Sequence, residues 1–132
     1  MPTMTTAMLA SMVAAFVLSL IGALQVLLAF GLPFGGAAWG GAHRVLPLRL
    51  RFASALSAMP LALAAWIVLA RTGVVAFPGQ PATVRVGSWV AFSLLALNTV
   101  GNFASKSRTE RLLMTPAAFV CSVCFLIAAL SA

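Results

Sequence analysis

Acidic side chains are all but missing. Glu110 is the only one in 132 residues, set against eight Lys and Arg. Charged residues make up 7% of the chain, where a soluble domain carries about 25%. So few charges cannot cover a globule of this size in water. The shortage excludes an ordinary water-soluble fold and assigns most of the exterior to lipid. Hydrocarbon offers the backbone no aqueous partners, so only helices or closed barrels cross it. A barrel would show segments of about ten residues with alternating polarity, and none occurs. The expected fold class is therefore all-α: a polytopic membrane protein with four transmembrane helices in one bundle.

Cysteine is also scarce. Cys121 and Cys124 form a C-x-x-C spacing, but inside an apolar run, where thiols act as small hydrophobes. No second pair exists to pass electrons onward, so redox chemistry is not expected of them. Nor do they, with Met59 and Met114, make a persuasive soft-metal site. No metal and no cofactor is expected. Lys and Arg are absent before the first apolar run, which is read as a retained helix rather than a cleaved signal.

What is present is apolar: 63% of residues are hydrophobic and the mean hydropathy is +1.13. Spanning the hydrocarbon takes about 20 apolar residues. Four runs qualify, at about 7–30, 52–70, 86–103 and 112–130, forming one domain. Gly31-Leu32-Pro33 ends the first. Pro60 lies inside the second and frees the carbonyl of Leu56, a loss that Ser57 or a mild kink could absorb. In the fourth, Thr115 is read as an N-cap with Pro116 at the first helical position. That reading leaves Glu110 to Met114 as a separate interfacial turn. Small-residue stripes at Ser11, Ala15, Ser19 and Gly22, and at Ala118, Cys121, Ser122, Phe125 and Ala129, are read as packing seams.

The first connection, 31–51, is Gly-rich and too apolar for a free aqueous loop. It is read as an interfacial hairpin with Trp39 at headgroup level. Its glycines form no phosphate loop, because no Lys-Ser/Thr follows them. The net charge of +7 lies beside the apolar runs, where bases set topology and meet anionic headgroups. The expected partners are thus the bilayer and its anionic lipid headgroups. Nucleic acid is not expected, since no folded polar surface exists to present a basic patch. Connections one and three hold Arg44, Arg49, Arg51, Lys106, Arg108 and Arg111, and the opposite side holds Arg71 and Arg85. The positive-inside rule puts the richer side in the cytoplasm of an inner (plasma) membrane, with both termini outside.

Polar residues within or beside the spans are candidate functional groups, because burying them is costly. Gln25 lies late in the first span. Asn98 and Asn102, four apart, share a face late in the third. His43, Arg44, Arg49, Glu110 and Arg111 lie at the same boundary. These eight form one cytoplasmic-side cluster, with almost nothing polar in the outer halves. In its structural reading, amides join helices and Glu110 pairs with an arginine, fixing connection three against connection one. In its functional reading, arginines clamp an anionic headgroup or small polar ligand, glycine backbone approaches it and the asparagines orient it. His43 is read as a hydrogen-bonding group.

His43-Arg44-Val45-Leu46-Pro47 and Glu110-Arg111-Leu112-Leu113-Met114-Thr115-Pro116 echo each other, as a parallel two-fold internal repeat would. The stretch from Trp39 to Arg51 and the stretch from Asn102 to Pro116 also resemble an uncharacterised family of small bacterial four-span integral membrane proteins. The resemblance covers most of the chain from Gly31 onward, implies a four-helix membrane fold and supplies no activity. The expected function is a non-enzymatic membrane module, either an accessory subunit for a partner protein or a binder of lipid or a small ligand. The rival is a small transporter or channel acting as a homodimer, which needs polarity through the full depth of a helix face. A membrane enzyme needs a paired acid-base or metal constellation, for which one Glu and one His are thin support.

Overall fold

A computed structural model describes residues 5–131. Within them lie four long helices: α1 (Thr6–Ala29), α2 (Leu48–Arg71), α3 (Pro81–Phe103) and α4 (Arg108–Leu130). Two short 3-10 turns, Gly35–Ala37 and Trp39–Gly41, sit in the first connection. Each helix is long and apolar enough to cross a bilayer, with mean hydropathy from 1.3 to 2.4 over its best window. Large apolar side chains such as Phe16, Leu56, Met59, Leu97 and Phe103 point outward. The chain is a multi-pass membrane protein, and its outward face is built for acyl chains.

The helices outrun the apolar runs that mark them. α2 starts at Leu48 rather than Phe52, α3 at Pro81 rather than Val86, and α4 at Arg108 rather than Leu112. Hydropathy marks the hydrocarbon segment, whereas helical hydrogen bonding continues through the interface. A 24-residue helix is about 36 Å long against a core of about 30 Å. Pro81 occupies the first turn of α3, where its missing N–H costs nothing.

The expected break in α4 does not occur. Ser107 supplies an earlier cap: its Oγ accepts the Glu110 N–H at 3.2 Å, the first half of a capping box. Pro116 therefore sits inside a continuous helix and leaves the carbonyl of Leu112 without its helical donor. In α2, Ser57 does not rescue the carbonyl freed by Pro60, because its Oγ donates to Ala53 O at 2.8 Å. α1 and α2 end alike. Gly31 (φ +87°) and Gly73 (φ +81°) each take the left-handed position after the cap. The following residues donate back five positions, Leu32 to Leu27 O and Val74 to Leu69 O, as in a Schellman motif.

Around the bundle the order is α2, α1, α4, α3, with α2 and α3 meeting only sparsely. The seam lies between α1 and α4. All five residues expected on the α4 seam, four small ones and Phe125, are buried, and Cys121 and Cys124 are free thiols inside this core. On α1, Ser11 and Ala15 are buried as expected, joined by Ala10, Ala14 and Leu18. Gly22 faces Leu61 of α2, and Ser19 is exposed.

Arginines close the helix ends. Arg51 Nε donates to Ala29 O at 2.9 Å, at the last residue of α1. Arg111 Nη1 donates to Ser105 O at 3.2 Å, just beyond α3. Arg71 Nη2 donates to Ala129 O and Ser131 O at the end of α4. Cations there meet unsatisfied carbonyls and the negative end of the helix dipole.

The first connection is docked on the end of the bundle, as a segment too apolar for a free aqueous loop requires. Trp39, Gly40 and Gly41 are all left-handed (φ 54°, 78° and 72°). This path carries the backbone against the start of α4, where Ser107 Oγ donates to Gly36 O at 2.6 Å. The Trp39 indole is oriented by the protein, with Nε1 donating to the fully buried Ser54 Oγ at 2.8 Å.

A Cβ on Gly41 would lie 2.5 Å from Ser107 Cβ and Oγ, at a φ that alanine resists. Gly41→Ala is therefore expected to lose at least about 1 kcal/mol, lowering the unfolding temperature in mild detergent by about 4 °C or more. Gly36→Ala, where an added Cβ meets open space, should leave it unchanged. Equal melting of the two variants would show that the docked segment adds no stability.

Candidate functional site

Because α2 and α3 stand apart, a groove of about 1130 Å³ opens between them. Ile67, Val86, Val90 and Leu94 are among its apolar walls, and Leu18 and Leu61 among its lining residues. Along α3 the lining runs from Ala82 to Asn102, about 30 Å at the helical rise, which matches the depth of a hydrocarbon core. The groove thus has an apolar length and one polar end.

That polar end gathers four of the eight residues singled out from sequence. Gln25 of α1, Asn98 and Asn102 of α3, and Glu110 of α4 all line the groove. Trp39, with Ala37 and Ala38 of the docked segment, borders it there too. The other four lie elsewhere. His43, Arg44 and Arg49 are exposed and outside the lining, and Arg111 is bonded to the carbonyl beyond α3. Arginines therefore do not clamp this site, nor does glycine backbone from the first connection line it. Arginine goes instead to the carbonyl-rich helix ends, where a cation is most stabilised.

Glu110 does not pair with an arginine. Its Oε2 accepts from the Ser105 hydroxyl and from the Gly40 backbone N–H at 3.1 Å. The expected tie between connections one and three does exist, but its donors are neutral. Both bonds fall on Oε2, so Oε1 is left without a protein donor among the described residues.

The amides are less satisfied still. Gln25 Oε1 is buried with no hydrogen-bond partner. Asn98 and Asn102 lie on the same face and neither side chain makes a hydrogen bond to the described protein, although the structural reading expected them to join helices. Thr115 Oγ1, one residue beyond the groove-lining Met114, is also buried and unpartnered. A buried amide oxygen without a partner costs about 1–3 kcal/mol, so Gln25 Oε1 stands ready for an external donor, with the more open Asn98 and Asn102 beside it.

Sequence reasoning missed three contributors to the site: Trp39 as a wall of the groove, Ser105 as a donor to the carboxylate, and Ser107 as the α4 cap. The signal for the last was present in Ser107-Arg108-Thr109-Glu110, an S-x-x-E capping box. Compared with known proteins, the chain matches no family model, no curated protein and no solved structure.

Proposed function

We propose that this protein is a non-enzymatic binder of a lipid-soluble ligand, held in the groove between α2 and α3 with its polar group toward Gln25, Asn98, Asn102 and Glu110. The observation that carries this reading is the gathering of Gln25, whose Oε1 is buried and unpartnered, with Asn98, Asn102 and Glu110 at one end of an otherwise apolar groove. Intramembrane polar groups are costly, so a buried unpartnered Gln25 Oε1 beside two further amides and the one acid favours a site over a packing accident. Lateral opening lets a ligand enter from the bilayer rather than from water. A transport path would need polar lining through its whole depth. Between Thr83 and Asn98 the α3 wall is Val86, Gly87, Val90, Ala91, Leu94 and Leu95, which favours binding over conduction.

We further propose an inner (plasma) membrane location with both termini outside, on the strength of six bases at one end of the bundle and two at the other. His43, Arg44 and Arg49, exposed at the basic end, then meet anionic headgroups of the cytoplasmic leaflet.

Released from mild detergent in native mass spectrometry, the wild-type protein is expected to carry a bound amphiphile. Val90→Trp, which fills the groove from an exposed position on α3, should lose that mass. An unchanged adduct in Val90→Trp would reject the groove as its seat. For topology, a phosphatase fused to the C-terminus should be active and a fluorescent protein fused there dark. The reverse pattern would invert the assignment.

A further inference from the structure

The ligand reading leaves open which head group the polar end accepts. Resting on that reading, we propose that the groove receives a long-chain amine: a single cationic, hydrogen-bond-donating head seated at Glu110, with no phosphate, and a hydrocarbon tail along α2 and α3.

The charge pattern carries this. The chain has eight bases and one acid, and the acid is the one that lines the groove. No Lys, Arg or His lines it. A phosphate or carboxylate would therefore find no cation there and would face Glu110. A phosphate-bearing lipid fits poorly for that reason. The nearby arginines are committed elsewhere, Arg51 to Ala29 O and Arg111 to Ser105 O. The carboxylate is held by neutral donors, which orient it without cancelling its charge. Its Oε1 and Gln25 Oε1 are acceptors that lack protein donors, and an ammonium brings donors only. Asn98 and Asn102 can turn their carbonyls toward the same head.

Arg111, next to Glu110 in sequence, opposes a cation most closely, with its guanidinium held on Ser105 O, and the remaining bases of the rim, Arg51 apart, are exposed. Salt screens exposed charges over about 8 Å, whereas a carboxylate beside apolar walls acts on a head group in direct contact. The groove reaches about 30 Å along α3, enough for an extended tail. A short polar amine would leave most of that apolar wall uncovered, so the tail belongs to the recognised chemistry.

The test uses Trp39, which lines the groove, as reporter, in full-length protein carrying Trp66→Phe and Trp89→Phe. The protein is reconstituted in phosphatidylcholine vesicles at pH 7. Three quenchers with a nitroxide on carbon 5 are compared: stearylamine, stearic acid and stearyl alcohol. The amine is expected to reach half-maximal quenching at a concentration about tenfold below the acid, against the sign of the protein's net charge. Glu110→Gln should abolish that difference while saturable quenching by the alcohol persists, which reports an intact groove. Met114→Lys, one helical turn on and also lining the groove, should abolish it independently by placing a cation beside Glu110. Equal or reversed preference in the wild type, with the alcohol still saturating, would overturn the amine proposal and leave the groove standing. So would an amine preference that survives both variants. If none of the three quenchers saturates in the wild type, the groove reading falls with it.

Discussion

In hydrocarbon every polar group must find its partner inside the protein, and that constraint orders the structure from backbone to site. It selects four helices over any open sheet. It also settles the side-chain hydroxyls within those helices. Ser11, Ser19, Ser57, Ser88, Ser93, Thr99 and Ser122 each donate to a carbonyl three or four residues back. At the helix ends, where carbonyls run out of donors, Arg51, Arg71 and Arg111 supply them. So much of the polarity in and beside the spans is satisfied that the exceptions carry information. Within the spans, Gln25 Oε1 is buried without a partner, and the unbonded Asn98 and Asn102 line the same groove.

The groove is the counterpart of the tight seam. Helices in lipid gain little from burying apolar surface against one another, so close approach by small residues decides which pairs associate. Ala10, Ala14 and Ala15 on α1 and Ala118, Cys121 and Ser122 on α4 provide that approach. The most extensive pairings are α2 on α1 and α3 on α4, while α2 and α3 meet only sparsely. The groove's lining holds Pro60, whose ring removes a helical donor, and Gly87, whose missing side chain lets Ile67 of α2 approach α3 there.

The four spans, the seam on α4 and the location of the polar cluster were legible in the amino-acid sequence, because apolar length and residue size report directly on the lipid phase. Helix ends were less so. Hydropathy falls where hydrocarbon stops, yet Leu48, Pro81 and Arg108 begin helices that extend beyond it. Both thiols of the C-x-x-C spacing are free and buried in the helical core. The partition of the eight candidates could not be read in one dimension. Gln25, Asn98, Asn102 and Glu110 converge on the groove, while His43, Arg44, Arg49 and Arg111 do not. Proximity to one boundary places a residue in depth but not in azimuth around the bundle, and azimuth decides what it faces.

The internal echo bears on how such a site arises. Arg44 and Arg111 are alike in local sequence, but the geometric counterpart of Arg111 is Arg51. Each is the fourth residue of its helix, and each bonds a carbonyl at or just past the end of the preceding one. The two helical hairpins therefore begin their second arms in the same way. They differ in what joins the arms: residues 30–47 in the first and only 104–107 in the second. The longer joint can cross the end of the bundle, and its left-handed stretch brings Gly40 N–H and the Trp39 indole to Glu110 and the groove. Glu110 comes from the short joint's side and has no acidic counterpart in the first hairpin. The polar end is thus built where the two halves depart from one another. The first turn of α4 supplies the single negative charge, and the longer first joint supplies the Trp39 wall and the Gly40 N–H that face it.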